Sequence, residues 1–138
     1  MLFVSNVFLQ GQTIANSSYS AAFKKAVAAA DNKDYNTAIE LFQQILNKWP
    51  DDIDAMTQMG LCMMTTNSNM DSVLVLFNRV LSIIPPETVF SPFGIDLQIA
   101  LAQAHNLNYE PEKALELLSV LRDSVTDESI RSEIVHQM

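Results

Sequence analysis

The feature that most limits how this chain can fold is a helical pattern that returns after about 34 residues. It is clearest over residues 22–50, AFKKAVAAADNKDYNTAIELFQQILNKWP. Phe23, Ala26, Val27 and Ala30 recur at spacings of three and four, and so do Ala38, Ile39, Leu41, Phe42, Ile45 and Leu46. That spacing lines one face of a helix. Asp31, Asn32, Lys33 and Asp34 form the polar break between the two runs, and Pro50 stops the second because it cannot continue the hydrogen-bond ladder. The pattern predicts helices over 20–31 and 35–48. A hairpin this small cannot bury its own apolar face, so it needs neighbours of the same kind.

The rest of the chain supplies them. Asp51 and Asp52 suit the positive end of a helix over 52–66 that carries Ile53, Met56, Met59, Gly60, Met63 and Met64. A partner over 71–83 carries Val73, Leu76, Phe77, Val80 and Leu81 and ends at Pro85 and Pro86. The segments 38–50 and 73–85 agree in pattern 35 positions apart, whereas Ala26 and Gly60 lie 34 apart. One extra residue is therefore expected in the second turn. After a loop over 86–94 with two aromatics, Phe90 and Phe93, Asp96 is expected to open a third first helix. A turn over 106–111 and a helix over 113–122 complete that hairpin. Ala102 and Ala114 stand 12 apart, as Ala26 and Ala38 do. Residues 126–138 read as a last helix capped by Thr126 or Asp127, with Ile130, Ile134 and Met138 on one stripe.

Composition narrows the role. Half the chain is hydrophobic (49%) and only 17% is charged, which suits a packed domain rather than a disordered tail. The net charge is −8, and the eight cations are scattered, so no basic face for a nucleic-acid backbone can be assembled. Cys62 stands alone, which excludes an internal disulfide and a Cys-rich zinc site; in an apolar helical run it reads as an inert buried thiol. No apolar run approaches the roughly 18 residues of a membrane-spanning helix. Residues 1–19 form a short apolar segment followed by small polar residues, set apart from a helical repeat domain over 20–138. The segment fits a secretory signal peptide in outline, with Thr13, Ile14 and Ala15 as the small-residue cleavage site, although it carries no Lys or Arg. Export to the periplasm or the exterior is expected on that basis. A fragment start, or a segment that docks on the repeats, are the competing readings.

A helix–turn–helix unit of this period, with small residues at two positions, an aromatic and a closing proline, resembles the tetratricopeptide repeat. The small position of the first helix is met by Ala26, Gly60 and Ala102, and that of the second by Ala38 and Ala114, with Val73 in the middle copy. The aromatic is Phe42 and Phe77, with Leu118 in the third copy; the proline is Pro50 and Pro85. The family's early tryptophan is absent, its places held by Ala22, Met56 and Gln98. The resemblance implies an all-α, right-handed superhelix, an α-solenoid of about three hairpins and a terminal half-repeat.

The residues offer no catalytic constellation. His105 and His136 lie far apart, and neither has a His, Cys or carboxylate four residues on. His105 is expected to be a hydrogen-bonded packing residue. Asp51, Asp52 and Asp54 read as a helix start, and Glu110, Glu112 and Glu116 as a solvated face. The chain is expected to be no enzyme and to need no cofactor and no metal.

What remains is surface recognition. The resemblance implies a concave groove lined by the first helices, holding a peptide or helix of a partner protein. Projecting the repeat phase gives Phe23 and Val27, then Thr57, Leu61 and Met64, then Ile99, Gln103 and Asn106 as partner-binding residues, with Ser20, Ala30, Asp54 and Asp96 beside them. This lining is apolar and weakly acidic, so it suits an apolar or basic segment rather than an acidic peptide terminus. Val27 and Leu61 read equally well as core. A scaffold or adaptor, monomeric or weakly oligomeric, is one expectation. The other is the N-terminal structural repeats of a longer exported or envelope protein, with no activity of their own. In a variant of either, residues 1–9 or the Phe90/Phe93 loop lie in the groove as a plug.

Overall fold

A computed structural model describes residues 17–138. Among them are seven α-helices and no strand: α1 (Ser17–Asp31), α2 (Tyr35–Lys48), α3 (Ile53–Thr65), α4 (Met70–Ile83), α5 (Pro92–Leu107), α6 (Pro111–Ser124) and α7 (Glu128–Gln137). They fall into two compact units, one ending at Asn69 and the other running Met70–Met138. Of the N-terminal segment 1–19 expected as a signal peptide, residues 1–16 lie outside the described residues, and 17–19 belong to the first turn of α1.

In the first unit α1 and α2 pair, and α3 packs on α2 and touches α1. Ala26 and Ala38, the small residues of the pattern, are fully buried, which lets the two helices approach closely. Phe42 is fully buried beneath Phe23, their rings 5.7 Å apart and edge to face, and Phe23 stacks on Tyr19 at 5.8 Å. Tyr19 in turn meets Trp49 edge-on at 5.1 Å. Such pairs each add about 0.5–1.5 kcal/mol beyond their burial. This aromatic row fastens the start of α1 to the end of α2. Asp52 caps α3, its Oδ1 accepting from the Ala55 N–H at 2.9 Å. The buried Tyr19 hydroxyl faces the same carboxylate. Burial first, then Asp52 and Asp54, raise the Tyr19 pKa, so the phenol stays a donor.

The turns share one construction. Asp34 N–H donates to Ala29 O and Lys33 N–H to Ala30 O; Ser68 pairs with Met63 and Asn67 with Met64; Glu110 pairs with His105 and Tyr109 with Asn106. Each is the double bond of a Schellman cap, and each puts one residue in the left-handed region: Lys33 (φ 62°), Asn67 (φ 51°) and Tyr109 (φ 61°). Glycine usually fills that place, and here none does. The extra residue expected in the second turn is Asn69, itself at φ 45°.

In the second unit α4 packs on α5, α5 pairs with α6, and α7 lies on α6. Ile95, Ile99 and Ala102 of α5, Ala114, Leu118 and Leu121 of α6, Val125 and Ile134 form one core, against which Leu117 and Ile130 pack. The last helix starts at Glu128, with Asp127 as its cap accepting from Ser129 and Ile130 N–H. Its stripe is Ile130 and Ile134; Met138 lies beyond the helix and is exposed.

One boundary differs from expectation. The third first helix opens at Pro92, not Asp96, so Phe93 belongs to its first turn and only Phe90 is exposed in the loop. Ser91 is the cap: its Oγ donates to Thr88 O at 2.6 Å and accepts from Gly94 N–H at 3.2 Å. Pro92 follows at a position where its missing N–H costs nothing. The loop, with a 3-10 turn over Pro86–Thr88, folds back so tightly that a Cβ on Gly94 would lie 2.2 Å from Val89 O. Gln98 locks it, donating to Val89 O at 2.9 Å and Gly94 O at 3.1 Å.

Two variants test this local account in urea unfolding. Gly94→Ala should lose about 1–3 kcal/mol, since backbone must move to admit the methyl. Tyr109→Gly should gain about 1 kcal/mol, because the ring is 93% exposed and glycine relieves the left-handed turn.

Candidate interaction site

The eight residues expected to line a groove divide by burial. Phe23, Thr57, Leu61, Met64 and Ile99 are buried, Val27 and Gln103 are half-buried, and Asn106 is exposed. Phe23 belongs to the aromatic core of the first unit, between Tyr19 and Phe42, rather than to an open lining. Thr57 Oγ1 donates back to Ile53 O at 2.8 Å, which ties it to its own helix. Leu61 and Met64 lie in α3, which is buried at every position from Asp54 to Met64. In the second unit Ile99 joins the α5/α6/α7 core, and Gln103 Nε2 donates to Gln137 Oε1 of α7 at 3.1 Å. The third hairpin's expected lining is thus partly taken by the terminal helix. Burial, and then Glu133 of α7, push the Asp96 carboxyl above its ordinary range, which puts that acid beside the same helix. Val27 and Asn106 are the lining positions that keep free surface without holding another helix.

The titratable groups singled out by the sequence are mostly structural. Cys62 is fully buried, and burial pushes its thiol up to about 12. Asp52 is the cap of α3, as a helix start requires. Among the described residues no group of three or more His, Cys, Asp and Glu is placed to hold a metal ion. Nor is any helix among them long and apolar enough to cross a membrane.

Glu110 departs from the solvated-face expectation. It sits just before α6, where its Oε1 accepts from Lys113 Nζ at 2.7 Å and its Oε2 meets His105 Nδ1 at 2.8 Å. The hydrogen bond to Lys113 first, and then that to His105, hold its carboxyl down at about 2. His105 thereby pins the end of α5 to the start of α6, a packing role with a named partner. The signal was present in the five-residue spacing across a turn, which a search at helical spacing passes over. A carboxylate lowered in the folded state stabilises above its unfolded pKa and loses that contribution as pH falls. The stability gap between the wild type and Glu110→Gln should therefore be full at neutral pH and close as pH drops from about 4.5 towards 2. Urea titrations at stepped pH would measure it.

Against this geometry the comparisons with known proteins are specific. The tetratricopeptide repeat profile matches residues 20–52, which covers α1 from its fourth residue on, the turn at Lys33, α2 and the Asp52 cap. No curated protein matches the chain. Repeats of this kind generally mediate protein–protein interaction and typically act as scaffolds rather than enzymes. The hairpin at 20–52 has the sequence pattern of a tetratricopeptide repeat, and the described residues that follow are likewise built of helices without a strand.

Proposed function

We propose that this chain is a protein-binding module, each of whose two units contacts an apolar or basic segment of a partner through its own first helices, and that it has no catalytic activity of its own. The observation that carries this reading is the repeat match over 20–52, since repeats of this kind serve as interaction surfaces. The character of the first helices supports the finer part. Val27 on α1 is half-buried, and Asn106 near the end of α5 is exposed. Neither carries a positive charge that would repel a basic segment. Thr57, Leu61 and Met64 of α3, with Met56, Met59 and Met63, form a methionine-rich helix whose side chains adapt to irregular partners. Engagement of α3 would require its covered side chains to become available, so Val27 and Asn106 are the first points of contact. Phe23 and Ile99 contribute by holding α1 and α5 in place.

The test avoids the core. Val27→Lys and Asn106→Lys, each made alone in the intact chain, should leave thermal unfolding unchanged. Each should weaken capture of the partner recovered by affinity purification by about tenfold, the scale of one mispaired charge at an interface. Capture at wild-type strength by both folded variants would remove the first helices from consideration.

A further inference from the structure

The first unit carries a second surface of opposite character. A cleft of about 430 Å3 opens between α1 and α2, within the roughly 300–1,000 Å3 of small-ligand pockets. Leu41, Ile45 and Trp49 supply most of its apolar lining. Around them stand Lys25 of α1 and Lys48, Gln44 and Asn47 of α2. No Asp or Glu is among the described residues that line it. That is unexpected in a chain with sixteen acids and eight bases.

The donors there are available. Among the described residues neither Lys25 nor Lys48 forms an ion pair. Lys48 Nζ stands over the ring of Trp49, a fellow lining residue, 5.6 Å from its centre, an arrangement that holds the ammonium beside that ring. Asn47 spends its carbonyl on Gln43, whose Nε2 donates to Asn47 Oδ1 at 3.1 Å. Its own amide N–H groups are then left to point elsewhere. The lining residues therefore include two lysines and two amides beside aliphatic side chains, and no acid among those described. At physiological salt the screening length is about 8 Å, so for a group seated in the cleft the lining lysines count for more than charges on the far side of the molecule.

We infer that the α1/α2 cleft binds an acidic peptide segment of a partner, seating one aliphatic side chain on Leu41 and Ile45 while flanking carboxylates meet Lys25 and Lys48. The lysines give each carboxylate a charge-assisted partner, and the apolar lining rewards an apolar residue between them. A purely polar anion would leave that lining uncovered. A basic segment would meet two like charges. This surface is separate from the first-helix positions proposed above and prefers the opposite charge, so the module can hold two different segments.

Trp49 is the chain's only tryptophan, so its emission reports on this cleft directly. The intact protein would be titrated with an end-capped, fluorescein-labelled hexapeptide alternating glutamate and leucine, followed by Trp49 emission and by peptide anisotropy. A saturable change that weakens with added salt is expected. Lys25→Glu and Lys48→Glu, both at exposed positions and checked for folding by circular dichroism, should each weaken binding by about tenfold. Lys24→Glu, on the same helix but outside the lining, should bind as the wild type does. Absence of saturable binding would overturn the inference. So would wild-type affinity in both cleft variants, equal binding of the lysine-for-glutamate peptide, or tighter binding of a single-stranded oligonucleotide. The Val27 and Asn106 variants keep this cleft intact, so failure of one surface is read separately from failure of the other.

Discussion

A pair of short antiparallel helices has one seam to bury and one apolar side left over, and the architecture follows from covering that side. In the first unit Ala26 and Ala38 are fully buried along the seam, and the aromatic row from Phe42 through Phe23 and Tyr19 to Trp49 extends it. What remains on α2 is taken up by α3. The link is polar as well as apolar, because the Asp52 that starts α3 faces the Tyr19 hydroxyl near the start of α1. In the second unit the same need is met at the other end of a hairpin: α7 sets Ile130 and Ile134 against α5 and α6. Removing either cover would expose roughly 1.5–3 kcal/mol of burial per large side chain, a loss that a domain this size cannot absorb many times.

Turns set the period, and they do so without glycine. Three Schellman caps, at Lys33, Asn67 and Tyr109, end first helices with the same pair of hydrogen bonds, although the sequences around them diverge. The longer interval before the third is the folded-back loop that Gly94 and Gln98 hold against α5. That loop changes spacing without changing the hairpin it precedes.

Much of this was legible in the residues. The small positions, the buried aromatics Phe42 and Phe77 and even the single extra turn residue follow from laying one segment over another. The start of α5 did not, because residues 86–94 read as one loop up to Asp96, whereas a proline just after a serine cap begins a helix. Glu110 escaped for a similar reason: its partners lie three residues ahead and five behind, across a turn, where no single periodicity connects them. The lining residues were the hardest. Repeat phase places Phe23 and Ile99 on a first helix but cannot say which of its neighbours covers them, and in these two cases the answer is the core. The α1/α2 cleft uses Leu41 and Ile45 of the apolar pattern, but its meaning comes from which charges are missing around them, which the pattern does not show.

The central claim is that the hairpin at 20–52 takes its stability from what is laid on it and not from its own two helices. Circular dichroism on a synthetic peptide spanning residues 17–48, beside the intact chain, tests it directly. The account predicts weak helix and no cooperative melt for the peptide, since helices of this length are marginal alone, against a sharp transition for the whole protein. A peptide that melted cooperatively with the helix content of the intact chain would contradict it.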